Sequence, residues 1–317
     1  MLQDALSAMG PQSGHLVDLW RVMLGMCVLV YVALMAGLWM AMRRSPKDGD
    51  ESAPPTLAPD SRRSTVGIAI AVVLSTAGLF VLIIASIGTD RALARLPLEN
   101  ALHIELTGHQ WWWEARYDAD RPSQMFTTAN ELHLPAGRPV IFTLRSADVI
   151  HSFWVPNLSG KKDLVPGRTA TLQLRADKPG IYGAPCAEFC GLQHARMTLT
   201  VIVDPPDRYD AWAERQRQGA PSPSEPLALR GRDVLLGSTC AMCHTVSGTD
   251  ASGKTGPDLT HVGSRARIGA GALPNTPDRL AKWIANPSDF KPGANMPAHA
   301  LAPDDLNALA AYLTSLK

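Results

Sequence analysis

Two stretches of this chain, Val22–Met42 and Val66–Gly88, contain no charged residue. At about 1.5 Å per helical residue, each reaches across a hydrocarbon core of roughly 30 Å. The chain is therefore expected to carry two transmembrane helices, about residues 17–42 and 65–89. Buried helices of a soluble protein are the weaker reading, because they are shorter and show a polar face. Between the stretches lie Arg43, Arg44, Lys47, Arg62 and Arg63, whereas Arg21 is the sole Lys or Arg before Val22. By the positive-inside rule this loop is cytoplasmic and both termini face outward. Residues 1–20 hold no Lys or Arg, unlike the basic start of a cleavable signal peptide, so the first helix is expected to be retained.

The formal charge is +1 over 317 residues, which argues against a nucleic-acid partner and for more than one domain. Ser45–Ser61 is rich in Pro, Asp and Ser and reads as a solvated connection with little structure. From Leu102 the pattern changes to short alternating or β-branched runs: Leu102–Thr107, Glu131–Leu134, Val140–Leu144, Thr169–Leu174 and Met197–Val203. Turn residues such as Gly137, Pro139 and Pro166-Gly167 punctuate them, the signature of an antiparallel sandwich or barrel. A helical stretch with Tyr209 and Trp212 then runs to about Gln218, and Gly219–Pro226 reads as a Pro/Ser linker. The rest, from near Leu227, is helical in character, with Pro277–Ala285 and Pro303–Leu316 as its Ala/Leu-rich segments.

The densest chemistry lies in Cys186-Ala187-Glu188-Phe189-Cys190-Gly191-Leu192-Gln193-His194-Ala195-Arg196-Met197. A thiolate, an imidazole and a thioether at close spacing between strands form the ligand set of a mononuclear copper site, completed by an earlier imidazole, for which His151 is suitably placed. Cys186 adds a second thiolate. Two thiolates on one loop can bridge a pair of coppers, with His151 and His194 each completing one and Met197 a weak axial ligand. Such a site is built for electron transfer. A Cys186–Cys190 disulfide and a zinc ion shared with the two histidines are the alternatives. On a strand, Trp111 and Trp113 would face one side and Trp112 the other. Cys27 reads as an apolar filler in the first membrane helix.

Together with Gly108-His109-Gln110-Trp111-Trp112-Trp113, His151-Ser152-Phe153-Trp154-Val155-Pro156 and the Lys162-Asp163…Pro166-Gly167-Arg168 turn, this loop resembles cytochrome c oxidase subunit II. The resemblance spans roughly residues 15–215. It implies a cupredoxin-like sandwich holding a dinuclear copper (CuA) centre on His151, Cys186, Glu188, Cys190, His194 and Met197. Glu188 would act through its backbone carbonyl at one copper and through its side chain at a magnesium ion on the border with subunit I. Trp111 would lie where electrons enter the copper pair. Trp112 stands where the family usually has Tyr. Many members also place a carboxylate near the cytoplasmic start of the second helix. Here Arg62-Arg63-Ser64-Thr65 leads straight into apolar residues, and Glu51 and Asp60 are the candidate substitutes.

Cys240-Ala241-Met242-Cys243-His244 is the attachment motif of a c-type haem: two thiols form thioethers and the adjacent His is forced to the iron. Met296 is the expected opposite axial ligand, since Met242 is trapped in the attachment loop; His261 and His299 stay open as alternatives. Thr255-Gly256-Pro257-Asp258-Leu259 and Asn295-Met296-Pro297 resemble small cytochromes c. That likeness implies that the Pro257 carbonyl orients His244 and that Trp283 and Tyr312 pack near the haem.

The expected architecture is a multidomain membrane protein: an N-terminal segment and two-helix transmembrane hairpin (1–95), an all-β cupredoxin-like CuA domain (96–206), a helix and linker (207–226), and an all-α cytochrome c domain (227–317). The expected function is electron transfer from an external donor, such as a cytochrome c or an upstream respiratory complex, through haem c and CuA to subunit I. Dioxygen would be reduced there, with proton translocation, and subunit III would be a further partner. The expected site is the bacterial cytoplasmic membrane, with the metal domains outside. A CuA-containing nitric oxide reductase and a stand-alone membrane-anchored shuttle are the competing readings. A quinol oxidase subunit is disfavoured, because those lose the copper ligands.

Overall fold

A computed structural model of the chain describes residues 3–44 and 61–317. The expected loop Ser45–Ser61, with Lys47, Glu51 and Asp60, lies almost wholly outside the described residues. Those described form two compact units: one spans residues 14–96, and the other joins the N-terminal segment up to Ser13 with Pro97–Lys317.

The first unit is built on α1 (Pro11–Arg44) and α2 (Ser61–Ala94). Both helices are long and apolar enough to cross a membrane. Each overruns its expected limits, because those were drawn at the edge of the apolar run. A helix continues into flanking polar residues when its ends suit it: Pro11 at the first turn of α1 has the φ a helix start requires. Leu29 and Leu34 on α1 and Leu74 and Ile84 on α2 are exposed, as lipid-facing side chains must be. Gly78 lets the helices approach, since a Cβ there would meet Met26 Sδ at 3.3 Å. At the loop end of α1, Arg43 stacks over Trp39 with its guanidinium carbon 3.8 Å from the ring centroid.

In the second unit, one sheet has the order β3-β2-β1-β5-β8, from β1 (Leu102–His109), β2 (Trp112–Asp118), β3 (Phe126–Ala129), β5 (Pro139–Ser146) and β8 (Ala170–Arg175). The facing sheet has the order β4-β10-β9, from β4 (Glu131–Pro135), β9 (Gly180–Pro185) and β10 (Thr198–Asp204). A ribbon of β6 (His151–Phe153) and β7 (Lys162–Leu164) completes the sandwich. Period-two alternation buries Ile104, Leu106, Val140, Phe142 and Leu144 from one sheet against Leu132, Leu134, Leu199 and Val201 from the other. The sandwich is not purely antiparallel as expected: β1 pairs with β5, and β4 with β10, in parallel. Alternation tells which face of a strand is buried and says nothing about its direction.

The N-terminal segment is tied to this sandwich. Asn157 Nδ2 donates to the Asp4 and Ser7 carbonyls, and the Asp177 N–H donates to the Met9 carbonyl. After β10, α3 (Pro206–Gln216) lays Trp212 on the sandwich, stacked on His133 at 4.1 Å and edge-on to Tyr117 and Phe126. Such aromatic pairs contribute about 0.5–1.5 kcal/mol each beyond their buried area.

The tail is helical: α4 (Pro226–Gly237), the one-turn α5 (Cys240–Cys243), α6 (Pro277–Ala285) and α7 (Pro303–Ser315), with a two-residue hairpin of β11 (Arg267–Ile268) and β12 (Leu273–Pro274). Helices α4 and α7 cross at Gly231, where a Cβ would lie 1.9 Å from the Ala308 carbonyl oxygen. Thr276 caps α6, its side chain accepting from the Arg279 N–H.

Candidate metal centre and cofactor cavity

The loop between β9 and β10 brings its chemistry together under the sandwich edge. The sulfurs of Cys186 and Cys190 and a ring nitrogen of His151 all lie within 4.8 Å of one another, on buried residues. Cys186 Sγ is 3.9 Å from His151 Nδ1, and Cys190 Sγ is 3.6 Å from His194 Nδ1 and 3.8 Å from Met197 Sδ. The Glu188 carbonyl accepts from Cys186 Sγ at 3.2 Å. Each sulfur thus has its own imidazole. The alternative, a Cys186–Cys190 disulfide, is not formed; both cysteines are free.

Local folding fixes this geometry. The Cys186 N–H donates to the Met197 carbonyl, closing the loop where β9 and β10 separate. His151 opens β6, and its approach requires Gly108, because a Cβ there would sit 2.8 Å from His151 Cδ2. Asp148 Oδ1 holds His151 Nε2 at 2.8 Å, which leaves Nδ1 for the sulfur side. Burial opposes the His151 imidazolium, but hydrogen bonds to Cys186 and Asp148 outweigh it and raise the pKa.

Burial also opposes ionisation of both thiols. Hydrogen bonds from His151 and at the backbone of Glu188 and Ser152 nevertheless bring Cys186 down to about 6. Cys190, buried beside that thiolate, is pushed up to about 12. Two sulfurs this close do not both ionise without a cation between them. A metal would supply that cation, and the thioether of Met197 beside them fits a soft one such as copper better than zinc, which takes Cys, His and carboxylate ligands.

The side chain of Glu188 turns away from the sulfurs and pairs with Lys161 Nζ at 3.0 Å. Trp111 precedes β2, so strand alternation does not reach it: Trp113 is buried in the core, while the Trp111 indole donates from Nε1 to the Cys190 carbonyl at 2.8 Å. This corrects the expectation that the two share a face.

The tail encloses a cavity of about 640 Å³, within the roughly 300–1,000 Å³ of cofactor pockets. Cys240, Cys243, His244, Pro257, Trp283, Met296 and His299 line it. His244 Nδ1 donates to the Pro257 carbonyl at 2.7 Å, which leaves Nε2 as the free nitrogen. Burial lowers the His244 pKa, with the Pro257 contact opposing, so the imidazole is kept neutral as a ligand must be. Gly256 makes room, since a Cβ there would lie 2.6 Å from His244 Cε1. The donor set, the apolar walls and this cradle fit a covalently attached haem. His261 is removed from the axial candidates: it is buried, and its Nε2 is spent on the Gln218 carbonyl at 3.0 Å. Tyr312 packs at the α4–α7 crossing and is not among the cavity-lining residues.

Sequence reasoning missed the far wall of this cavity. His109, Gln110, Trp111, Trp112 and Asp148 of the sandwich line it alongside the tail. No local signal announces a contact between segments so far apart in the chain.

The fold and its paired sites define a class: a membrane-anchored chain with a domain type that implies copper, followed by one that implies haem. The family described as cytochrome c oxidase subunit II, periplasmic domain, matches residues 118–204, and cytochrome c matches residues 228–317. Cytochrome c oxidase subunit 2 of Alkalihalophilus pseudofirmus is 36% identical over 99% of this chain and 90% of its own length. The same subunit of Bacillus sp. strain PS3 is 33% identical over 69% of this chain and 63% of its own length. A crystal structure of the periplasmic domain of subunit II of cytochrome oxidase from Bradyrhizobium japonicum is 28% identical over 38% of this chain and 97% of that one, with a TM-score of 0.35. The chain belongs to the cytochrome c oxidase subunit II family.

Proposed function

We propose that this subunit receives electrons from an external donor in its tail and passes them through its copper loop to subunit I, where dioxygen is reduced to water with proton translocation. The observation that carries the reading is Trp111: it lines the cavity of the tail while its indole is hydrogen-bonded to the carbonyl of Cys190. When bound, haem and a copper pair would supply one-electron chemistry at the two ends of that contact.

The residues divide the work. Cys240 and Cys243 would anchor the haem covalently, His244 and Met296 would hold its iron, and the Pro257 carbonyl fixes the imidazole. Cys186, Cys190, His151, His194, Met197 and the Glu188 carbonyl would hold the copper pair, the two thiolates and two imidazoles as its main ligands. The sandwich would limit rearrangement on electron transfer by pinning the 186–197 loop between β9 and β10 and His151 on β6. The Glu188 carboxylate, paired with Lys161 at 3.0 Å, would help hold a magnesium ion at the contact with subunit I. In this reading residues 96–206 form the copper domain, 207–226 the connection and 227–317 the haem domain. The fusion keeps the immediate donor at high effective concentration, so the haem is not captured by diffusion for each electron. Subunit III is a further partner, and the bacterial cytoplasmic membrane holds the complex with both metal domains outside.

The purified complex tests this. It is expected to contain a haem-bearing subunit I and to consume dioxygen when supplied with reduced cytochrome c. Consumption of nitric oxide without dioxygen, or isolation of the chain alone, would contradict it.

A further inference from the structure

Lys291 is 3% exposed and no carboxylate pairs with it among the described residues. Burying an ammonium group unpaired is unfavourable, and an apolar side chain of similar length would serve packing better. Its Nζ instead donates to two carbonyls, Trp111 at 2.6 Å and Gly269 at 3.1 Å. Burial pushes Lys291 down to about 7, and two of its N–H groups are spent on these two acceptors.

The surrounding contacts join the same two regions. Gln193 Nε2 donates to the Pro292 carbonyl at 2.7 Å, Arg196 Nη1 to the Phe290 carbonyl at 2.6 Å, and Asn295 Nδ2 to the Gln110 carbonyl at 3.4 Å. The segment Phe290–Asn295, which leads into Met296, therefore lies clamped on the copper loop and on the turn before β2. A Cβ on Gly293 would touch Leu192 at 3.2 Å, and φ there is +82°, so this close approach needs glycine. Of the side chains making these contacts Lys291 is the most buried, at 3% against 6% for Gln193. Trp111 is consequently held at both ends, its carbonyl by Lys291 and its indole by the Cys190 carbonyl.

We propose that Lys291 is a positioning residue for internal electron transfer: from within the tail it fixes the peptide of Trp111 and so locks the haem cavity against the copper loop. The proposal rests on the electron-relay reading above. In the step served, one electron leaves the haem iron and one arrives at the copper pair, with no bond made or broken.

The test uses the full oxidase complex carrying Lys291→Met or Lys291→Gln. Amide hydrogen exchange is followed over residues 107–113 and 288–297, and single-electron transfer is followed after photoreduction of the haem. Lys291→Met is expected to speed exchange in both segments about tenfold and to slow transfer about tenfold or more, with copper and haem spectra unchanged. Lys291→Gln keeps a donor and should recover transfer to within about threefold of the parent, for a hydrogen bond retained. Parental exchange and transfer in Lys291→Met overturns the proposal, as does Lys291→Gln as slow as Lys291→Met. Loss of either spectrum in Lys291→Met also overturns it, because Lys291 would then assemble a site, not align two. A parent complex without a copper-pair spectrum would instead remove the relay reading, a failure visible before any variant is made.

Discussion

Cys186→Ser is expected to abolish the mixed-valence copper spectrum and leave the haem spectrum intact. The serine hydroxyl is nearly isosteric, yet it is a hard and weakly acidic ligand that does not bridge two soft ions. Cys186 is also the sulfur that His151 and the backbone bring down to about 6, so it is the thiolate most ready to accept metal. Loss of a partner that merely orients a ligand costs about 10–100-fold in metal affinity. Loss of a bridging ligand should exceed that, and oxidase turnover should fall by roughly 100-fold or more on the same scale. The haem is spared because no cavity-lining residue is a ligand sulfur of the copper loop. Retention of a paired-copper spectrum by Cys186→Ser, read by electron paramagnetic resonance, would show that the two sulfurs do not share the metals.

Gly231→Ala should destabilise the tail while sparing the sandwich. A methyl group there would lie 1.9 Å from the Ala308 carbonyl oxygen and 2.8 Å from Tyr312 Cβ. The first of these is backbone, so relief requires α4 and α7 to move apart. That separation would open the cluster of Leu235, Leu309, Tyr312 and Leu313 that backs the haem cavity. Overpacking of this kind costs about 1–3 kcal/mol and occasionally more. At the upper end, the melting temperature of a domain of this size drops by roughly 12–24 °C. Calorimetry should show the tail transition shifted and the sandwich transition in place; coincident, unshifted transitions would refute the packing argument.

The chemistry of both centres was legible because it is local. Cys186, Cys190, His194 and Met197 fall within one loop, and Cys240, Cys243 and His244 within one turn, so spacing alone brings those side chains together. His151 was reachable because one imidazole was missing from the set. The membrane helices were legible from two charge-free runs, although their ends were not, since polar flanks continue a helix once it has started. Strand direction was not legible: the alternation of Leu102, Ile104 and Leu106 is the same whether β5 runs parallel or antiparallel. Nothing near Lys291 in sequence, between Phe290 and Pro292, reveals that its Nζ meets the Trp111 carbonyl. The N-terminal segment likewise gave no sign of meeting Asn157 and Asp177. These misses share a cause, which is that contacts between distant segments leave no periodicity to read.

The most direct test of the account is a pair of anomalous-scattering maps of the complex, recorded at the copper and iron absorption edges. Two copper peaks should appear between the sulfurs of Cys186 and Cys190, one beside His151 and one beside His194, and one iron peak should lie between His244 and Met296. A single copper peak, a zinc signal in its place, or Cys186 bonded to Cys190 would contradict it.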